Sequence, residues 1–198
     1  MMQKPDNLRS LAIAHALAER GARTSVIELL AGITQGHARA VIRNVTGDDP
    51  RSGLLPVCSS TLISSRRRHS EASVAAGILD LFRAHNKNGL SADGIILTYD
   101  TYSMLNSTFH GSLKPLSITE LFVLARDLRL GSTELRRCQV CLSKWLYCSD
   151  ATTYCECPHC LLLTDATCPS CQGLKSTRAR LCSECRSQEG RGRPHRAA

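Results

Sequence analysis

The sequence is short of aromatic residues, with one Trp, three Phe and four Tyr in 198 positions. A folded core must therefore come mostly from Leu, Ile, Val and Ala. No apolar run approaches the roughly eighteen residues that a membrane-spanning helix needs, so a membrane protein is not expected. The start, "MMQKPDNLRSLAIAHALAER", has neither an apolar h-region nor a small-residue cleavage site. The expectation is a cytoplasmic protein without a secretory leader. Convincing strand alternation is lacking from residue 7 to 130, as is any repeat of solenoid length. No βαβ pattern appears either, which removes the frame that a thioredoxin-like thiol oxidoreductase would need.

Cysteine is abundant instead. Ten of the eleven lie between residues 138 and 185. In a reducing compartment paired cysteines are more often metal ligands than disulfides, and an odd count suits a disulfide framework poorly. Four pairs share the C-x-x-C spacing: Cys138 with Cys141, Cys157 with Cys160, Cys168 with Cys171, and Cys182 with Cys185. Such a turn places two sulfurs about 3.5–4 Å apart, near the edge of a tetrahedron with roughly 2.3 Å Zn–S bonds. Taken in chain order, the pairs predict two structural Zn²⁺ sites, each closed by a short hairpin or ribbon. Cys155 is a competing ligand for Cys157, which is preferred because "CPHC" makes the same turn as its partners. Cys58 and Cys148 are expected to be ordinary, partly buried small residues, and His159 an exposed loop residue.

A four-thiolate site has no open coordination position, which argues against zinc catalysis. The triplet "HSE" at His69–Glu71 matches half of a zinc-deaminase signature. The other half is missing, because Arg137 and Glu156, not Pro, precede Cys138 and Cys157. A non-enzymatic protein is expected.

Helix-length patterns fill the rest. "DNLRSLAIAHALAERGAR" carries Leu8, Leu11, Ala12, Leu17 and Ala18 and ends at Gly21. "SEASVAAGILDLFRAH" and "DGIILTYDTYSMLN" read as helices, as does "SITELFVLARDLRLG", with a Ser117–Glu120 capping box and a Gly131 stop. Loops are expected at "TGDDPRSGLLP", around Asn86–Gly89 and at "HGSLKP". The stretch "TSVIELLAGITQGHARAVIRNV" predicts a helix-turn-helix. Ser25–Ala31 is the first helix, Gly32 makes the left-handed turn, and Thr34 caps the second. Ile27, Leu30, Ile33, Ala38 and Val41 fall inward. Gln35, Gly36, His37, Arg39, Ala40 and Arg43 fall outward. Gln and Arg pair bidentately with adenine and guanine edges, which makes Gln35, His37, Arg39 and Arg43 candidate contacts to double-stranded DNA.

The net charge of +8 agrees with a polyanionic partner, although two four-thiolate zinc sites would lower it to about +4. Two basic clusters stand out: Arg66, Arg67 and Arg68 followed by His69, the three arginines being further candidate contacts to DNA, and the segment from Lys175 to Arg196. The second has seven Lys/Arg against Glu184 and Glu189.

These features in this order resemble the FlhC family, a subunit of the flagellar master transcriptional activator, and its relatives that activate transfer genes of conjugative elements. The resemblance runs from about residue 10 to 160. It rests on "ALAERGAR", "GHARAVIRNVTGDDPRSGLLP", "EASVAAGILDLF" and "ITELFVLARDLRLGSTELRRCQVC", with Cys157 and Cys160 following. It implies a mainly helical zinc-binding subunit that joins a small FlhD-like helical partner, binds DNA upstream of promoters and recruits RNA polymerase. By the family's motif Cys138, Cys141, Cys157 and Cys160 are the zinc ligands. Glu71 stands where the family usually has His, and residues 168–185 lie outside the common pattern.

The fold expected is mainly α, a helical body with a helix-turn-helix-like unit and a C-terminal cysteine-rich, zinc-ribbon-like region. The divisions expected are 1–137 for a helical DNA-binding and oligomerisation domain, 138–162 and 163–187 for the two four-cysteine zinc units, and 188–198 for a basic disordered tail. A zinc-ribbon protein that binds other proteins or RNA is the alternative function.

Overall fold

The computed structural model describes residues 7–50, 55–56, 58–86, 89–110, 115–148, 156–171 and 180–186. It is mainly helical, and its largest core is aliphatic, as a chain with so few rings requires. Cys155 and the tail 188–198 lie outside the described residues.

Helices α1 (Asn7–Glu19), α2 (Thr24–Ala31) and α3 (Gln35–Thr46) pack on one another. Gly32, at φ +65°, ends α2, and its N–H donates to the Glu28 carbonyl. The Thr34 hydroxyl then accepts from the His37 N–H and starts α3. Ile27, Ala38 and Val41 are buried, with Leu30 and Ile33 half-buried against the same core. α1 differs from a simple reading of its pattern. Ala14, Leu17 and Ala18 face inward, whereas Leu8 is 80% exposed and Leu11 43%. Its inner residues pack with α2 and α3, and the surface ion pairs Arg9–Asp93 and Arg20–Asp100 link it to the helix over residues 92–110.

A 3₁₀ turn at Ser59–Ile63, which no sequence signal announced, leads into α4 (Arg66–Leu81). Ser65 caps α4 by accepting from the Arg68 N–H. α5 (Ala92–His110) and α6 (Ile118–Leu130) follow. The loop expected around Asn86–Gly89 contains a minimal antiparallel pair, β1 (His85–Asn86) and β2 (Gly89–Leu90), with His85 opposite Leu90. α6 is buried nearly all round, at Ile118, Leu121, Phe122, Val123, Leu124 and Ala125, and so forms the centre of the body. Its start is the predicted capping box. Glu120 N–H donates to the Ser117 hydroxyl while the Glu120 carboxylate accepts from Ser117 N–H at 2.7 Å. Gly131, at φ +75°, ends it.

α5 meets the loop after α4 closely at Gly94. A Cβ there would lie 2.8 Å from the Ala84 Cα, which is backbone and cannot swing away. Gly94→Ala is therefore expected to destabilise the protein by roughly 1–3 kcal/mol as overpacking, despite the better helix propensity of Ala. A urea unfolding curve with an unchanged or higher midpoint would contradict this account.

The chain then forms the hairpin β3 (Thr133–Arg137) and β4 (Lys144–Cys148), in register Leu135 opposite Leu146, followed by α7 (Pro158–Ala166).

Candidate metal centres and nucleic-acid interface

The β3–β4 turn holds the first cysteine pair. Cys138 and Cys141 sit between the strands, and the Val140 N–H donates to the Cys138 sulfur at 3.4 Å. The second pair comes from α7. Cys157 is its N-cap and Cys160 lies in its first turn, with Pro158 at a position where the absent N–H costs no helical bond. The four sulfurs lie within 4.8 Å of one another, with Cys138–Cys160 at 3.6 Å and Cys141–Cys157 at 3.7 Å. A tetrahedral Zn–S₄ group has edges of about 3.8 Å. Cys168, Cys171, Cys182 and Cys185 form a second group of the same size, with Cys171–Cys182 at 3.6 Å. Both donor sets fit a thiophilic ion held without an open position.

Electrostatics points the same way. Backbone and side-chain donors of Ser143 pull the Cys141 thiol down to about 6. Crowding against the Cys141 sulfur pushes the Cys160 thiol up to about 12. The second group repeats the split. Hydrogen bonding from the Cys182 backbone lowers Cys168 to about 6, while the Cys171 sulfur leads those raising Cys185 to about 12. Four sulfurs this close cannot all be thiolates unless a cation stands among them.

The first unit is fastened to α4. His69 is fully buried, and its Nε2 lies 2.6 Å from the Leu146 carbonyl oxygen. A carbonyl only accepts, so Nε2 carries the proton. The Leu146 N–H donates to the Ser73 hydroxyl at 3.0 Å. The outer edge of β4 is thus closed by two side chains one helical turn apart. Trp145 stands edge-on to the His69 ring at 5.8 Å and belongs to the small core around Cys138 and Cys157. Lys144–Asp80 and Arg66–Asp165 pairs flank the contact.

His159 is not an exposed loop residue. It is half-buried in α7, with Nδ1 2.9 Å from the Ser70 hydroxyl, and burial lowers its pKa. Packing of α7 on α4 put it there, and nothing in "CPHC" signals that. Cys148 is buried and Cys58 half-buried, and neither joins a sulfur group. The "HSE" residues also serve structure, His69 on β4 and Glu71 as a buried ion-pair partner.

Gln35, Gly36, His37, Arg39, Ala40 and Arg43 are all exposed on α3, while Ala38, Val41 and Ile42 hold its other face in the core. Arg43 pairs with the exposed Asp49 at 2.8 Å. Arg39 makes no ion pair among the described residues. The second basic cluster is arranged differently. Arg66, Arg67 and Arg68 occupy the first turn of α4, where the helix dipole disfavours cations, and each finds a carboxylate. Arg66 pairs with Asp165 and Arg67 with Glu71, while Arg68 bridges Glu71 and Glu120. Arg68 is the most enclosed of the three, at 22% exposure.

The sequence matches the family described as "Flagellar transcriptional activator (FlhC)" over residues 4–169. No individually curated protein matches the chain. The matched span takes in all six helices of the body and the whole first sulfur group. It stops after Cys168, the first cysteine of the second group.

Proposed function

The chain belongs to the FlhC family of flagellar transcriptional activators, and we propose that it is the DNA-reading subunit of a cytoplasmic hetero-oligomer. Its companion would be a small FlhD-like helical subunit, and together they would recruit RNA polymerase to promoters of flagellar or conjugative-transfer genes. The supporting observation is the outer face of α3. Gln35, His37, Arg39 and Arg43 project from a helix whose inner face is locked against α1 and α2. A rigid helix with exposed bidentate donors suits the major groove. Arg66 and Arg67, half-exposed, are proposed as backbone contacts that position without specifying. Arg68 would join them only by leaving Glu71 and Glu120. Each sulfur group would hold one Zn²⁺, two per chain, in a structural and not a catalytic role.

Arg39→Ala and Arg43→Ala are each expected to cost about 1–3 kcal/mol of specific binding and to relax preference at one base position. Fluorescence anisotropy with target and scrambled duplexes measures both effects, with circular dichroism confirming unchanged helicity. Arg39→Ala should have the larger effect, because Arg43 must first exchange Asp49 for a base. Full affinity and full discrimination in both variants would refute α3 as the reading helix.

A zinc-ribbon unit that binds protein or RNA is the second reading. It is favoured by the exposed knuckle tip, Val140 at 85% and Leu142 at 61%, the latter held at φ +60°. It predicts that Val140→Ser with Leu142→Ser removes partner binding while DNA discrimination stays intact.

A further inference from the structure

Three ligands of the second sulfur group lie beyond residue 169, so family membership assigns this unit no role. α7 places it. Cys157 and Cys160 at one end of that helix belong to the first group, and Cys168, just past the other end, belongs to the second. At 1.5 Å per helical residue the stretch from Cys160 to Cys168 spans roughly 12 Å. The first group is fastened to α4 through β4 and α7, so α7 carries the second group as a rigid extension of that contact.

Among the described residues the second unit has a very small apolar core. Leu181 is buried with Cys168 and Cys182, and half-buried Cys185 packs against them. A core this small does little to offset the chain entropy of the unit, so a bound metal would supply much of its order. The unit is also where the charge lies. Residues 169–198 contain seven Lys/Arg and two Glu, and so carry five of the eight net positive charges. A zinc–thiolate group of net −2 leaves the region basic. Arg180 and Arg186 bracket the Cys182–Cys185 pair. Both are exposed, and neither makes an ion pair among the described residues.

From this we infer that the second sulfur unit is a metal-ordered clamp for the nucleic-acid backbone. Bound metal fixes Arg180 and Arg186 at the far end of α7, where they displace counterions from DNA phosphates. This adds affinity without base preference. The inference rests on the DNA-binding reading above, but it concerns random-sequence DNA and so is judged apart from α3.

The test uses the full chain and a random-sequence duplex, with binding measured across roughly 50–200 mM salt. The double variant Arg180→Gln/Arg186→Gln should keep two zinc ions per chain and the parental melting temperature. Its salt slope should flatten by about 0.9 for each phosphate that is no longer neutralised. Affinity should fall by the same factor on target and random duplexes, leaving discrimination unchanged. Cys182→Ser/Cys185→Ser should lose one zinc ion and show a comparable flattening although both arginines remain. A parental slope in both double variants, on DNA that the parent binds, would overturn the clamp. Loss of target preference in Arg39→Ala, or its retention, judges α3 separately.

Discussion

Cys138→Ser is expected to lower bound zinc from two ions per chain to one, and to move much of the protein into the insoluble fraction. A serine hydroxyl does not ionise near neutral pH and is a poor ligand for a thiophilic ion, so the first site loses its closed shell. Structural zinc contributes apparent binding free energies of about 10–16 kcal/mol in small metal-folded units. Here the consequence reaches past the knuckle, because Leu146 and Cys148 of β4 belong to the main core and Trp145 packs beside Cys138 and Cys157. The helical body holds most of the buried aliphatic residues, so far-UV ellipticity should persist in the soluble fraction while the melting temperature drops. Elemental analysis with thermal unfolding checks this. Two zinc ions retained in Cys138→Ser would mean that the first group is not a metal site.

His69→Ala should cost roughly 3 kcal/mol. It removes a fully buried ring and strips the Leu146 carbonyl of the donor at 2.6 Å. Leaving a buried carbonyl unsatisfied costs about 1–3 kcal/mol, and the cavity adds to it. The lesion lies in the joint between the body and the first sulfur group, so it should also speed loss of the proposed zinc to a chelator, a readout that a distant core cavity would not move. His69→Gln, which keeps an N–H donor, should recover part of both. Equal chelation rates in parent and His69→Ala would show that α4 does not hold the unit closed. Burial also keeps this imidazole neutral, with its pKa below the ordinary 6.5. Its contribution is therefore complete above about pH 6.5, the unfolded value, and is lost as pH falls through the window below it.

Much of the fold was legible in the sequence because its signals are local. Gly32 and Gly131 were identifiable as stops because only glycine takes a left-handed backbone cheaply, and both do so here. The Ser117–Glu120 box and the Thr34 cap are bonds between residues three apart, and the chain makes them where the pattern put them. The sulfur groups were legible for a related reason: C-x-x-C geometry is set within one turn, and four repeats of it leave few ways to combine. Even the outer face of α3 followed from helical period once its inner residues were chosen.

What the sequence did not contain were contacts between elements distant along the chain. The side on which α1 buries itself depends on core partners supplied by other helices, so Ala14, Leu17 and Ala18 pack inward while Leu8 and Leu11 face outward. Arg66, Arg67 and Arg68 form a basic run in one dimension, yet in three dimensions they meet Asp165, Glu71 and Glu120, with two of those carboxylates brought by other helices. His69 and Ser73 became the anchors of β4 only when the hairpin reached α4 from more than seventy residues away. Capping, turn and chelate signals act over a few residues, where chain connectivity keeps the partners together. Ion pairing, edge closure and choice of buried face wait on tertiary packing, because only packing determines which distant groups share a dry surface.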